Sequence, residues 1–431
     1  MIALIYSTPF IIRVCATLAL ILLVNKISKN LAISAIIGTA LLALWCGHAV
    51  PAALLIAWNR ISSANTLLLM FALVQIIFLS SQMSDSGVMK DLVESIRRRI
   101  PQKFSIAMLP AVIGLLPMPG GAIFSAPLVD ECDDRKVIDP LLKTRINYWF
   151  RHVWEYWWPL YPGVLLAVDI TGLTIPQFML LQIPLSIMAV GCGYYFLLRK
   201  INVSGESPLP PDGGDTTSIV LPLAPILIIV TAYAFINIAF PFISRSNKYL
   251  PMIIGILLAQ SFLQFYRPLN GKEWRKILLS QGTPKLILLV IAILVYGSFI
   301  ETPLPDGSQL VSHLRQELAS LGFPIIVIII VIPFLCAFTT GLSVGFVGAS
   351  FPIVMSLLGP DPGMGDLLSN TLLAYGAGYT GMILSPVHIC LIVTNDHFET
   401  SLGESIIKLI PPSICILAAS IIIYFIIKAV F

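Results

Sequence analysis

The stretch LLPMPGGAIFSAPLVDE, Leu115 to Glu131, sets three prolines, two adjacent glycines and a serine into an otherwise apolar run. Upstream lies FSIAMLPAVIG (Phe104 to Gly114), and downstream the charged DECDDRK (Asp130 to Lys136). In water such a break is an ordinary loop. Inside a bilayer nothing solvates a broken backbone, so the same break survives only if it is buried in protein or lines a wet cavity. The reading therefore turns on the solvent.

Composition decides the solvent. Of the 431 residues, 57% are hydrophobic and only 11% are charged, and the mean hydropathy is +0.91. Soluble domains carry about 25% charged residues, so this chain cannot cover a water-facing surface and reads as an all-α polytopic membrane protein. Apolar spans run over 2–24, 31–58, 66–82, 104–129, 145–169, 174–198, 218–242, 248–266, 284–300, 323–357, 367–394 and 404–428. Several reach the roughly 20 residues that cross a bilayer core. The first is followed by Asn25, Lys26 and Lys29 with no small-residue cleavage pattern, and reads as a membrane helix rather than a signal peptide. The net charge of +4 is small for this length, and no nucleic-acid partner is expected. The seven cysteines are scattered without a CxxC, so neither a disulfide framework nor a metal cluster is expected.

The polar stretch RKINVSGESPLPPDGGDTTS (Arg199 to Ser218) divides the chain almost in half, and the halves correspond. Leu92, Val93 and Arg97 of DLVESIRRRI recur as Leu310, Val311 and Arg315 of QLVSHLRQEL. Each of these short amphipathic stretches follows an apolar helix and leads into a long broken apolar segment. In those segments GGAIFSAP matches GFVGASFP at Gly120/Gly345, Ser125/Ser350 and Pro127/Pro352, and Asn147 and Asn370 open the next span in each half. The expected division is a first repeat over 1–200, a cytoplasmic linker over 201–217 and a second repeat over 218–431.

Loop charges test the orientation, because Lys and Arg mark cytoplasmic loops. Around 104–129 stand Lys90, Arg97, Arg98, Arg99, Lys103, Arg135, Lys136, Lys143 and Arg145. Both ends of that segment are then cytoplasmic, so it enters and returns. Around 323–357 a single Arg315 faces Glu301, Asp306, Glu317, Asp361 and Asp366, which reads as external. The two segments are expected to be re-entrant hairpins dipping in from opposite faces. Five crossings plus one hairpin per half make the second repeat inverted relative to the first, as in many secondary transporters, with both chain termini external.

A hairpin turning in the membrane points a half-helix N-terminus, with its free N–H groups and partial positive charge, at the bilayer middle. Pro119, Gly120 and Gly121 form the first tip, with Ser125 one turn on. Thr339, Thr340, Gly341 and Ser343 form the second, with Ser350 in its return helix. Two further spans are broken: 145–169 at Pro159, Pro162 and Gly163, and 367–394 at Ser385 and Pro386. The residues of the two tips, with Ser125, Ser350, Ser385 and Pro386, are the candidate substrate ligands, with Na⁺ a candidate ion near Thr340 and Ser343 and no other metal. Arg151 and Glu155 are spaced i, i+4 and can pair on one helix face. With His152 and with His388 beside the second break, they are the candidates for charge recognition and coupling, since intramembrane charges are expensive and usually functional. Trp149, Trp154, Trp157 and Trp158 are expected to pack rather than stack on substrate, and NDHFE (Asn395 to Glu399) reads as a solvated loop.

The order of apolar helix, amphipathic surface helix and Pro/Gly-tipped hairpin, in LLLMFALVQIIFLSSQMSDSGVMKDLVESIRRRIP into LLPMPGGAIFSAP and in LILLVIAILVYGSFIE into FTTGLSVGFVGASFP, resembles the ion transporter superfamily. That group includes gluconate-permease-like, arsenite-antiporter-like, dicarboxylate-symporter-like and citrate transporters. More narrowly, LLPMPGGAIFSAPLVDE and GYTGMILSPVHICLIVTNDHF are similar to an uncharacterised family of integral-membrane proteins within it. The resemblance implies scaffold and transport domains, elevator-type exchange and a homodimer in the cell (inner, cytoplasmic) membrane. The sodium-coupled dicarboxylate symporters carry Ser-Asn-Thr at both tips. PMPGG here has no hydroxyl or amide and is closer to the proton-coupled gluconate permeases.

The expectation is a secondary active transporter for a small organic anion, a carboxylate, coupled to H⁺ or Na⁺ and needing no other cofactor. The alternative is a cation/proton antiporter of the same fold, which would be expected to carry carboxylates at the tips. Neither HExxH nor GxSxG nor a paired-carboxylate motif occurs, so an enzyme is not expected. Inverted elements built for alternating access are unnecessary in a channel.

Overall fold

Capping and proline placement set most helix starts. Asn30 and Ser63 accept backbone N–H groups at the starts of their helices, and Asp139 does so just ahead of Pro140. Thr174 and Gln177, and Asn270 and Glu273, form reciprocal capping boxes. The computed structural model describes residues 8–97, 99–117, 121–133, 136–199, 201, 220–308, 310, 313, 316–317, 324–359 and 361–431. The described residues are all-helical, without strands. Pro119, Gly120, Arg98, Arg135, Val311, Arg315 and nearly all of the 201–217 linker lie outside them.

The first half runs through α1 (Phe10–Ser28), α2 (Leu31–Trp45), α3 (Val50–Ser62), α4 (Ala64–Asp85), α5 (Val88–Arg97), α6 (Gln102–Gly114), α7 (Ala122–Glu131), α8 (Pro140–Arg151), α9 (Pro162–Thr171) and α10 (Ile175–Gly193). A π-helical turn, Tyr194–Leu198, extends the last. The second half follows with α11 (Val220–Ala239), α12 (Pro241–Ser246), α13 (Leu250–Tyr266), α14 (Gly271–Leu278) and α15 (Gly282–Glu301). It closes with α16 (Ile325–Thr340), α17 (Ser343–Leu358), α18 (Met364–Ile383), α19 (Ile389–Phe398) and α20 (Leu402–Val430).

Among the described residues, six segments are long and apolar enough to cross a membrane: Phe10–Ser28, Ala64–Asp85, Ile175–Leu198, Val220–Ala239, Gly271–Glu301 and Leu402–Val430. Their outer faces carry exposed Leu23, Phe235, Ile238, Ile407 and Phe425. Water tolerates no such surface on this scale, and the chain reads as a multi-pass membrane protein. The span expected at 31–58 is two helices, because Gly47 turns left-handed at φ +83° and ends α2. In α5 the buried Val88, Met89, Leu92, Val93 and Ile96 oppose exposed Lys90 and Glu94, the amphipathic pattern expected there.

Packing partners recur between the halves. Helix α6 packs on α7 and α8, and α16 packs on α17 and α18. Helix α7 packs on α19, and α17 on α9. Helix α4 packs on α13 and α15 on α2, while α4 meets α15 and α10 meets α20. The halves are therefore interlocked: each broken pair leans on elements of the other half.

Candidate functional site

Helix α8 stops at Arg151, and the segment to Tyr161 runs as turns before Pro162 opens α9. Side chains of that segment explain why the chain can break there. The last carbonyls of a helix have no partner inside it. At the end of α6, Trp154 Nε1 donates to the Ala111 carbonyl at 2.7 Å and Trp158 Nε1 to the Leu115 carbonyl at 2.9 Å, while the Tyr161 hydroxyl donates to the Gly114 carbonyl. Trp149 Nε1 donates to the Ala189 carbonyl of α10 at 2.8 Å. A Cβ on Gly114 would fall 2.1 Å from the Arg151 carbonyl oxygen, so glycine lets the two helix ends meet. The expected i, i+4 pairing of Arg151 with Glu155 on one helix face does not form, because the helix ends at Arg151. Glu155 Oε1 lies instead 3.8 Å from His152 Nε2.

The second break, 384–388, separates α18 from α19. The two breaks exchange hydroxyl groups. Tyr148 of α8 donates to the Ile383 carbonyl at 3.1 Å, and Tyr375 and Tyr379 of α18 donate to the carbonyls of Glu155 and His152. Ser385 Oγ donates to the Phe338 carbonyl at 2.7 Å, serving the end of α16. Gly341 ends α16 at φ +64°, and a Cβ there would sit 2.9 Å from the His388 backbone nitrogen. Backbone groups freed by the breaks are thus met by side chains, as an apolar solvent requires.

Between these parts lies a cavity of about 330 Å³. Its wall takes Pro117 from the first tip, Gly341 to Val344 from the second, Arg151, Glu155, Tyr161 and Pro162 from the first broken helix, and Met382 with His388 to Cys390 from the second. Helix α4 through Ile76, Ile77 and Ser81, helix α15 through Gly282, Leu286 and Leu289, and Ser280 just ahead of α15 close the remaining side. The N-termini of α9, α17 and α19 all reach this wall, so their dipoles add positive potential to that of Arg151. Gly121 abuts the Arg151 guanidinium: a Cβ there would lie 2.3 Å from Nη2. Arg151 itself is only 3% exposed.

Of the residues the sequence nominated, Arg151, Glu155, Gly341, Ser343 and His388 line the cavity, and His152 stands behind it with Nε2 3.1 Å from His388 Nε2. Thr339 and Thr340 donate to carbonyls of their own helix, of Leu335 and Cys336, both at 2.7 Å, and Ser350 donates to the Phe346 carbonyl at 2.6 Å. These three hydroxyls are held one turn back along their helices rather than on the wall. Ser125 is fully buried off the wall, and Ser385 and the half-buried Pro386 serve the second break. Cys390, Tyr161 and Ser280 were not nominated. Cys390 stands two residues after His388, and that spacing at a helix start was the one signal for it. His152, His388 and Cys390 offer ligand atoms that all lie within 4.8 Å of one another.

Residues 11–427 match the family described as Protein of unknown function (DUF401), and the chain belongs to that family. A comparison with curated proteins gives no match.

Proposed function

We propose that this DUF401 chain is a secondary active transporter that carries a small organic anion, a carboxylate, across the cell membrane by elevator-type alternating access, coupled to H⁺ or Na⁺. The observation that carries the reading is the cavity at which both helix pairs and both broken helices end, with Arg151 on its wall. A buried guanidinium and three helix N-termini make a positive pocket shaped by backbone, the arrangement an anionic substrate needs.

Helix lengths support re-entry. At 1.5 Å per residue, α6 and α7 span about 20 and 15 Å and α16 and α17 about 24 Å each, less than the roughly 30 Å hydrocarbon core. A helix that stops short, turns and packs on its own continuation is a hairpin inside the layer. The exchanged packing partners support an inverted repeat. The transport domain is then α6–α10 with α16–α20, and the scaffold is α1–α4 with α11, α13 and α15, paired with a second copy as a homodimer. The proton suits this site better than Na⁺, because Glu155, His152 and His388 stand at the cavity whereas the Thr340 hydroxyl is turned into its own helix. Glu155 on the wall also favours a second reading, cation/proton exchange without an organic substrate.

Uptake of labelled mono- and dicarboxylates into proteoliposomes, with pH or Na⁺ gradients imposed separately, tests the reading. Saturable carboxylate uptake driven by one gradient is expected. Na⁺/H⁺ exchange with no carboxylate movement selects the second reading. Thiol labelling of cysteines placed at 118 and 342 tests re-entry, and inaccessibility from both sides of the membrane sinks it.

A further inference from the structure

Helices α8 and α19, from opposite halves of the chain, bring two imidazoles, a thiol and a carboxylate together at one wall of the cavity. His152 Nε2 and His388 Nε2 are 3.1 Å apart, Cys390 Sγ lies within 4.8 Å of both, and Glu155 Oε1 is 3.8 Å from His152 Nε2. Both histidines are buried, His388 at 6% exposure, while Cys390 and Glu155 reach the cavity.

We propose that His152, His388 and Cys390, with Glu155 as a fourth donor, form a binding site for a thiophilic divalent cation of the zinc type. Donor chemistry selects the ion. Thiolate with imidazole is the set that borderline-soft metals take, whereas Mg²⁺ and Ca²⁺ require oxygen ligands. Geometry agrees: for metal–nitrogen bonds of about 2.0–2.1 Å, two nitrogens at this separation subtend about 98° at the metal, near tetrahedral. The second shell is in place on one side. His152 Nδ1 lies 2.5 Å from the Tyr148 carbonyl, which fixes the N–H there and leaves the Nε2 lone pair facing the site. The 3.1 Å contact is then His388 Nε2–H donating to the His152 Nε2 lone pair, and binding moves that proton to His388 Nδ1, which is buried with no hydrogen-bond partner among the described residues, so that both Nε2 lone pairs face the ion.

Charge balance is local. Binding releases the Cys390 thiol proton to water in the cavity, and the resulting thiolate with the Glu155 carboxylate offsets the two positive charges of the ion. Arg151, on the same wall, opposes the ion, so the fourth donor matters. A bound ion would tie the two broken helices together across the halves of the chain. The site shares a wall with the proposed anion cavity but does not depend on what that cavity carries.

The test is binding rather than transport, so its failure is distinct from failure of the transport reading. Purified protein in nanodiscs is titrated with CoCl₂ under reducing, anaerobic conditions. A near-ultraviolet thiolate-to-cobalt band and intense tetrahedral visible bands are expected, with both displaced by ZnCl₂. Cys390→Ser is expected to lose the near-ultraviolet band, and His388→Gln to weaken the visible ones, while thermal unfolding confirms that each variant is folded. Absence of the bands in the unmutated protein, or an unchanged near-ultraviolet band in Cys390→Ser, overturns the site.

Discussion

The Arg151 guanidinium lies directly on Gly121, so close that a single added methyl would sit 2.3 Å from Nη2. The capping residue ahead of α7 and the last residue of α8 thus meet in one contact at the cavity. Gly121→Ala must push the guanidinium away, and the flexible end of the arginine can yield without unfolding the helices. The expected result is an increase in KM for the carboxylate with little loss of thermal stability. A displaced charged hydrogen-bonding group is worth about 1.5–3 kcal/mol, or roughly 10- to 100-fold in affinity. Arg151→Lys should behave similarly, because an ammonium cannot reproduce the planar fork. Unchanged KM in both variants removes Arg151 from substrate recognition.

Gly341 is a different kind of glycine. Its φ of +64° costs an ordinary residue about 1–2 kcal/mol, and its Cβ would meet the His388 backbone rather than a movable side-chain end. Gly341→Ala should therefore lower the thermal midpoint in detergent clearly, unlike Gly121→Ala. Comparing the two unfolding curves checks this, and equal midpoints contradict it.

Much of the break pattern was legible because it is written in backbone chemistry. Proline and glycine at Pro117, Gly121 and Gly341 mark where α6 and α16 stop and the next helices begin. The end of α8 was not legible. Nothing local stops a helix at Arg151, and the expectation of an Arg151–Glu155 face assumed that it ran on to Pro159. Trp154, Trp158 and Tyr161 reach carbonyls some forty residues earlier, at Ala111, Leu115 and Gly114, and those long-range bonds override local propensity. Hydroxyl residues beside a break have a second, local use that the sequence does not separate from ligation. Beside a break, Thr340 and Ser350 look like ligands, but a helix offers each a carbonyl one turn back. Cys390 was lost among scattered cysteines because its partner His152 is distant in sequence.

The tryptophan bonds are themselves open to test. Trp158→Phe keeps an aromatic ring at the site but removes the indole N–H and leaves the Leu115 carbonyl without its donor in an apolar surrounding. A cost of about 1–3 kcal/mol is expected, read as a lower unfolding temperature. Trp157, for which no such bond is found among the described residues and which meets Trp154 and Trp158 edge-on, should tolerate the same change better. The reverse order of sensitivity contradicts the capping role.

Proton coupling makes a separable prediction for Glu155. If its carboxyl carries the coupling proton, Glu155→Gln fixes the site in a neutral state. Net uptake driven by an acidic outside is then expected to vanish, while exchange of internal for external carboxylate persists and loses its pH dependence. Measuring both modes in the same liposomes separates coupling from binding. Retained pH-driven uptake excludes Glu155, and loss of both modes assigns it to binding instead.

Asp169 at the end of α9 gives the elevator reading its sharpest test. It is 4% exposed at its side chain, pairs with Arg60 of α3 at 2.5 Å and accepts the Tyr249 hydroxyl at 2.9 Å. Lys248 Nζ donates to the neighbouring Val168 carbonyl at 2.8 Å. Arg60, Lys248 and Tyr249 belong to the proposed scaffold and Asp169 to the proposed moving part, so these bonds must break in every cycle. They hold one conformation, and weakening them shifts the population toward the other. Asp169→Asn removes a charge-assisted bond worth about 1.5–3 kcal/mol, while Arg60 keeps access to water and the fold should survive. On a cysteine-free background, Ser343→Cys reports which side of the membrane the cavity faces through its labelling by an impermeant maleimide. The ratio of labelling from the two sides is expected to change by roughly tenfold or more when Asp169→Asn is added. An unchanged ratio in a folded variant means that α9 does not move against α3, and the elevator mechanism falls with it.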